Sequence, residues 1–237
     1  MFSIITPLDT NRFEQFKNTK RLYDGMDYEK EFIIPTRKFK SVKGYLMANG
    51  LMKDVRLIPY THSKGFNCSK ALNLGVRHAK YDSVIITSPE VKPTTNVLEQ
   101  LSECIGSNVV CQVADENEDG SIGQILVSRI FRSDNPGMYF LAMFNKKDIE
   151  SINGWDEEFM KGYAYEDNDF GERWNRAGLP FQIRDDIQAV HQYHPRSETI
   201  SNGTSINANR FHDNTEAGIV WVDNGLTKTK FRSTLQA

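Results

Sequence analysis

The chain has 237 residues, 39% hydrophobic and 25% charged, enough to bury a full core in one domain or one and a half and enough to exclude a chain disordered throughout. A formal charge of −2 and a pI near 6.2 give no global attraction to nucleic acid or anionic membrane, although a sum leaves room for local patches. The opening MFSIITPLDT has no basic leader, and the longest apolar run, YFLAMF at 139–144, is too short to cross a bilayer, so the expected location is the cytoplasm.

The N-terminal half alternates short apolar runs with amphipathic ones. Phe2 to Thr6 reads as a strand closed by Pro7, and Asn11 to Tyr23 as a helix behind it. Glu31 to Ile34, closed by Pro35, and Val55 to Ile58, closed by Pro59, repeat the strand, with a short helix over Lys40 to Asn49 between them. A helix over Ser69 to Ala79, a fourth strand over Ser83 to Thr87 and a helix over Leu98 to Cys104 follow. This order predicts a mostly parallel sheet covered on both faces, whose ligands bind at the carboxyl ends of the strands. Ser88-Pro89-Glu90 lies at such an end, and Pro89 stiffens the turn that presents Glu90. Taken alone, Glu90 reads first as a solvated turn acid. Cys68, Cys104 and Cys111 lack metal-ligand spacing and read as reduced and structural.

The second half opens with Asp115 to Gly120, an acidic run that reads as an exposed turn or hairpin loop, followed by strands over Ile122 to Phe131 and Gly137 to Asn145. Lys146 to Ser151 reads as a short helix stopped at Asn153-Gly154, a pair suited to a left-handed cap. A helix restarts at Glu166. Glu166 and Asp169 share a face, and Asp169 with Arg173 and Glu172 with Arg176 are acid-before-base pairs four apart. Acids in the first turn also favour the helix dipole, so a plain surface helix accounts for the spacing. The Gly- and aromatic-rich segment ahead of it is more typical of a loop shaped around a ligand.

Gly154-Trp155-Asp156-Glu157-Glu158-Phe159, then Tyr165-Glu166-Asp167-Asn168-Asp169-Phe170 and Arg173, resembles the acceptor-side motif of nucleotide-sugar glycosyltransferases with the GT-A fold, closest to glycosyltransferase family 2 and to the galactosyltransferase-like C-terminal region. Phe66 to Gly75 with the strand into Glu90 is similar to the family's approach to its metal-binding D-x-D, and FSIITP to its first strand. The resemblance covers about Phe2 to Phe181 in matching order. It implies a Rossmann-like mixed, mostly parallel sheet flanked by helices. Residues 1–195 would form the GT-A catalytic domain, with 1–115 taking the nucleotide sugar and 120–195 the acceptor, and 196–237 a C-terminal extension.

The implied reaction is direct, inverting displacement at the anomeric carbon, with Asp167 as base and Glu166 as its alternate. The resemblance puts Pro7, Asp9, Lys70, Asn73, Ser88, Trp155, Asp169 and Arg173 among the substrate-binding residues, with Lys70 and Arg173 as cations for the departing diphosphate. A divalent cation, Mn2+ or Mg2+, is implied at Glu90, with His191 as a further ligand. Three departures stand out. Ser88-Pro89-Glu90 replaces D-x-D, so Glu90 acts without a partner acid; Thr36-Arg37 replaces the acid after the second strand, so base specificity does not transfer; and His191 and His194, three apart on a strand, point to opposite faces, so one of them at most reaches a shared ion. A structural, hydrogen-bonded histidine accounts for His191 equally well.

The default acceptor is a glycan or lipid-linked sugar. Lys228, Lys230 and Arg232 in an acid-free tail from Leu226, preceded by Arg196 and Arg210, read first as a solvated tail. Their sharper reading is an anionic acceptor such as a hydroxymethylated DNA base turned out of its stack. Trp221 reads as core and the sequon Asn202-Gly203-Thr204 as chance. The missing first acid keeps a second function class in view, a catalytically inactive nucleotide- or sugar-binding module. A nucleotidyltransferase is disfavoured because Pro7-Leu8-Asp9-Thr10-Asn11 stands where a Gly-rich phosphate loop would be.

Overall fold

A computed structural model describes residues 1–61, 66–129, 140–195 and 204–227. Strands β1 (Phe2–Ile5), β2 (Lys30–Thr36), β3 (Val55–Pro59) and β4 (Ser83–Thr87) pair in parallel in the order β3-β2-β1-β4, with helices α1 (Phe13–Asp24), α2 (Phe39–Ala48) and α3 (Cys68–His78) as crossovers. Beyond β4 the sheet turns mixed. It continues through β8 (Leu141–Asn145), β6 (Val109–Glu116), β9 (Gln182–His191) and β5 (Val91–Pro93), with β7 (Ile122–Val127) hairpinned onto β6. Helices α4 (Val97–Ser102), α5 (Lys146–Ser151) and α6 (Glu166–Arg176) fill the connections. The expected α/β sheet is therefore present, with its parallel half in the N-terminal part.

Strand alternation builds a core on each face. Phe2, Ile4 and Ile85 point to the face that packs Phe16 and Tyr23 of α1, Val42 and Leu46 of α2 and Leu98 and Leu101 of α4. Ile5, Val84, Ile86, Ala142 and Phe144 point to the opposite face, against Leu72 and Val76 of α3 and Phe170 and Trp174 of α6. Gly75 lets α3 lie close to the sheet: a Cβ there would stand 2.3 Å from Cγ2 of Ile5. Cys104 and Cys111 are buried free thiols.

Two short elements escape hydrophobic periodicity and matter for the site. Strand β5 has three residues, yet its antiparallel pairing sets Val91 opposite His191 and so carries Glu90 to the end of β9. Helix α7 (Thr204–Glu216) packs across α6 through polar side chains, and the chain after it returns to the core. There Leu226 N and Thr227 N donate to the backbone and side-chain oxygens of Asn153, and Leu226 joins the α6 face of the core. Trp221, expected in the core, is 51% exposed, because the chain turns inward only at Val222. The acidic run expected as a loop divides: Asp115 and Glu116 end β6 as sheet residues, and the hairpin turn follows them. Phe131, Gly137 to Tyr139, Arg196, the Asn202-Gly203 part of the sequon and the basic tail at Lys228, Lys230 and Arg232 lie outside the described residues.

Candidate active site

Glu90 follows β4 in a turn closed by Val91 N donating to Ser88 O, at the carboxyl end of the parallel strands. Gln192 fixes it from the other side, its backbone N donating to Glu90 O at 2.9 Å and its side-chain amide to the same oxygen at 3.1 Å. Around Glu90 Oε1 stand Arg12 Nε at 3.6 Å, His191 Nε2 at 3.7 Å and His194 Nε2 at 3.8 Å. Glu90 Oε2 is buried and has no hydrogen-bond partner among the described residues. Burial alone would raise the Glu90 carboxyl, but His191 and Arg12 outweigh it and hold it below the usual range, hence ionised.

His191 Nδ1 lies 3.0 Å from Asp115 Oδ1, its cross-strand neighbour in the β6–β9 pairing. Burial works against its proton, yet carboxylates on both sides raise its pKa. His194 is lowered, first by burial and then by Arg12. One ligand atom each from Glu90, His191 and His194 lies within 4.8 Å of the others, so the three could hold one metal ion. The donor set fits a divalent ion, with one hard carboxylate, two borderline imidazoles and a buried carboxylate oxygen left free. His194 joins the set because β9 ends at His191; the strand alternation that separated the two rings does not extend to residue 194.

The second acidic centre is the first turn of α6. Ala164 and Tyr165 ahead of it both have positive φ, 62° and 70°, a left-handed conformation that is strained for residues with a Cβ. Asn207 of α7 braces this turn, its amide donating to Ala164 O at 2.7 Å and Phe159 O at 2.9 Å. The turn delivers Glu166 and Asp167 side by side. Burial and then the Asp167 charge push the Glu166 carboxyl up to about 7. Cys68 at the start of α3 lies between the two centres, its thiol raised by burial and then by the charges of Glu166, Asp167 and Glu90.

The other residues singled out from sequence divide by burial. Asn73, Trp155, Asp169 and Arg173 are fully buried and lie beneath the site rather than in contact with it. Asn73 clamps Trp155, accepting from its N at 2.9 Å and donating to its O at 2.8 Å; Gly154 at φ 68° makes room for this, since a Cβ would lie 2.3 Å from Asn73 Oδ1. Trp155 stacks on Phe170 with ring centroids 4.1 Å apart. Asp169 accepts from Arg173 Nε at 2.7 Å and from Asn214 of α7 at 2.6 Å, which leaves Arg173 committed inside the protein rather than free to meet a diphosphate. On α6 the first two residues, Glu166 and Asp167, stand at the turn, while Asp169 and Arg173 one turn further face the interior; Asn73 of α3 and Trp155 ahead of α6 pack beneath them. Ser88 and Pro7 are nearly buried at the strand ends, and Lys70 is half-buried in the first turn of α3.

Asp9, after β1, takes two bonds from Arg37, from Nη2 at 3.0 Å and Nε at 3.3 Å, and lies 3.4 Å from Thr36 Oγ1. An acid is thus present at the end of β2 after all, supplied by the neighbouring strand. Beyond it, Arg210 of α7 grips the fully buried Asp156 through Nη2 at 2.6 Å and Nε at 2.7 Å.

Known proteins resemble this chain in sequence and in fold. Residues 138–196, the stretch that spans β8 to the histidines, match the sequence family described as the N-terminal domain of galactosyltransferase. The uncharacterized glycosyltransferase YfnE of Bacillus subtilis (strain 168) is 33% identical over 88 residues, which is 37% of this chain and only 21% of that protein. TarS residues 1–349 of S. aureus superpose over 96% of this chain and 68% of theirs, with a TM-score of 0.66 at 13% identity; the complex of TarS with UDP-GlcNAc gives 0.69 at 13% identity, over 96% and 69%. The likeness to TarS shows the fold: the chain has the GT-A fold, a mixed sheet flanked by helices.

Three parts of the site escaped the sequence. Arg12 ends a short 3-10 helix, Thr10–Arg12, with no motif to mark it, and Asp115 is indistinguishable from its acidic neighbours until β6 and β9 pair. The supporting face of α7 is Asn207, Arg210 and Asn214, with Phe211 against Tyr165, a face too polar to stand out as an apolar stripe. Asking where buried Asp156 and Asp169 find partners was the available signal.

Proposed function

We propose that the protein transfers a sugar from a nucleoside-diphosphate sugar to an acceptor hydroxyl with inversion, assisted by a divalent metal ion. The single observation that carries this reading is the presence of two acidic centres, Glu90 with His191 and His194, and Glu166 with Asp167, both acting on Cys68 at the carboxyl ends of a GT-A sheet. Glu90, His191 and His194 would hold the ion. When bound, it supplies positive charge for the diphosphate as it departs. Two imidazoles beside one carboxylate favour Mn2+ over Mg2+.

Asp167 takes the acceptor proton, and Glu166, its carboxyl near 7, shares that proton within the pair. Asp9 and Ser88 bind on the donor side, with Pro7 and Lys70 lining it. Because TarS is described in complex with UDP-GlcNAc and with UDP, a uridine diphosphate sugar is the first donor to test. Residues 1–195 carry the catalytic domain, with α7 of the extension as its brace. A glycan is the acceptor this reading favours, with a hydroxymethylated DNA base as the anionic variant; activity on naked glycans that does not respond to salt would sink the variant.

A thermal-shift panel of nucleoside diphosphates and nucleotide sugars, with and without Mn2+, on the wild type and Glu90→Ala tests this reading. Stabilisation by one nucleotide that requires Mn2+ and disappears in the variant is expected. No shift with any nucleotide would leave the inactive sugar-binding module as the better account.

A further inference from the structure

We infer that Arg12 is an internal counter-ion that occupies the Glu90 centre, holds His194 in the tautomer unable to ligate through Nε2, and is released by metal binding to meet the donor's diphosphate. The last step rests on the donor reading above; the first two do not.

Arg12 meets His194 through its guanidinium. It only donates hydrogen bonds, so at the 3.0 Å contact between Arg12 Nη2 and His194 Nδ1 the ring nitrogen must accept. The proton of neutral His194 is then on Nε2, the atom that faces Glu90 Oε1 at 3.8 Å. A protonated imidazole nitrogen offers no lone pair to an ion. A second acceptor is in place for the other tautomer, since Pro195 O lies 3.2 Å from the same Nδ1. Once Arg12 leaves, Nδ1 can carry the proton and donate it to Pro195 O, and Nε2 is free to ligate. The proton only changes nitrogen, by exchange with solvent, so no net charge is gained or lost at the ring.

Electrostatics points the same way. Arg12 Nε stands 3.6 Å from the carboxylate oxygen that the ion needs, and a guanidinium and a divalent cation around one carboxylate repel. The Arg12 side chain is 24% exposed and belongs to a short 3-10 helix, Thr10–Arg12, so its tip has room to move without disturbing the core. Its remaining donor contact is with its own neighbour, Nη1 to Asn11 O at 3.1 Å, a weak tether. A freed guanidinium beside a metal centre is a fork suited to phosphate oxygens. For His191 the corresponding question is already settled by Asp115, which accepts from Nδ1 at 3.0 Å and leaves Nε2 towards Glu90. The two rings therefore differ in what engages Nδ1: the Asp115 carboxylate at His191 and the Arg12 guanidinium at His194.

The test uses Arg12→Met, which keeps the stem and removes the donors, with Arg12→Lys as the conservative variant. In metal-free protein, 15N chemical shifts of His194 report its tautomer, and calorimetric titration with Mn2+ and then with UDP at saturating Mn2+ reports the two affinities. Wild type is expected to show His194 protonated on Nε2 and Arg12→Met on Nδ1. Mn2+ is expected to bind Arg12→Met roughly tenfold more tightly, and UDP roughly tenfold more weakly, with Arg12→Lys between. Opposite signs are the signature, because a damaged site loses both affinities together. An unchanged tautomer, or Mn2+ binding that is unchanged or weaker in Arg12→Met, overturns the counter-ion claim. Equal UDP affinity in wild type and Arg12→Met overturns the release to diphosphate. If the wild type binds no nucleotide at all, the donor reading fails while the tautomer and Mn2+ results still judge Arg12.

Discussion

At the residue scale the account rests on Glu166 and Asp167, whose carboxyls share one crowded turn. Asp167→Asn is expected to lower turnover by about 100-fold to 10,000-fold, the usual contribution of a positioned base, while nucleotide binding stays within about twofold of wild type. Glu166 makes the reaction pH-dependent: with its carboxyl near 7, activity should fall as pH drops below 7 and the pair takes up its proton. The stability sign is opposite. A carboxyl that titrates near 7 when folded and near 4.5 when unfolded binds its proton more tightly in the folded state, so the protein loses stability as pH rises from 4.5 to 7. Glu166→Gln removes that loss, and denaturant melts at pH 8 should show it more stable by about 1 kcal/mol, a value reduced for partial exposure. A variant less stable than wild type at pH 8 would show the carboxylate to be held by favourable contacts instead.

At the element scale α7 supports the acids without belonging to the sheet. Asn207 carries the carbonyls of Phe159 and Ala164, and its loss frees a turn held in the left-handed region by that brace. Asn207→Ala is expected to cost about 1–2 kcal/mol in urea denaturation and to lower kcat more than it raises the KM for donor, since the acid pair moves while the Glu90 centre does not. Arg210→Ala removes the charge partner of the fully buried Asp156, which still accepts from Glu158 N, and should cost more, about 2–3 kcal/mol, the buried-pair figure discounted because Arg210 is a third exposed. The sheet itself was legible in the sequence because its parallel strands are short apolar runs with a proline near each end, and β3, β4 and α5 fall at their expected residues; β2 differs, running through Pro35 to Thr36, since a proline at that position still lets Thr36 pair with Pro59. Helix α7 was not, because it meets the acidic turn through Asn207, Arg210 and Asn214 rather than through an apolar stripe. Strand β5 was not because its three residues include Lys92 and Pro93 and acquire meaning only from β9. The acidic motif was legible as a motif, but its division into buried scaffold and presented acids needed the packing of Trp155 on Phe170.

At the scale of the whole molecule, the two halves of the sheet bring one centre each. The parallel half ends in Glu90, and the mixed half returns His191 and His194 to it and presents Glu166 and Asp167 through α6. Among the described residues no helix is long and apolar enough to cross a membrane. Removal of divalent metal should abolish donor binding and leave the fold intact, since the Glu90 turn is held by backbone bonds, Val91 N to Ser88 O and Gln192 N to Glu90 O, that need no ion. Circular dichroism melts with and without chelator should coincide within about 2 °C without nucleotide, the size of shift that a few tenths of a kcal/mol produces. A large drop in melting temperature on chelation would assign the metal a structural role instead.

The most direct test of the central claim is release of free nucleoside diphosphate from a panel of nucleotide sugars, UDP-GlcNAc first, with Mn2+ and glycan or hydroxymethylated-DNA acceptors, in wild type, Glu90→Ala and Asp167→Asn. The account predicts release from one donor by the wild type, dependent on Mn2+ and lost in both variants, with Asp167→Asn still binding the donor. Release that persists undiminished in Glu90→Ala and Asp167→Asn would contradict it.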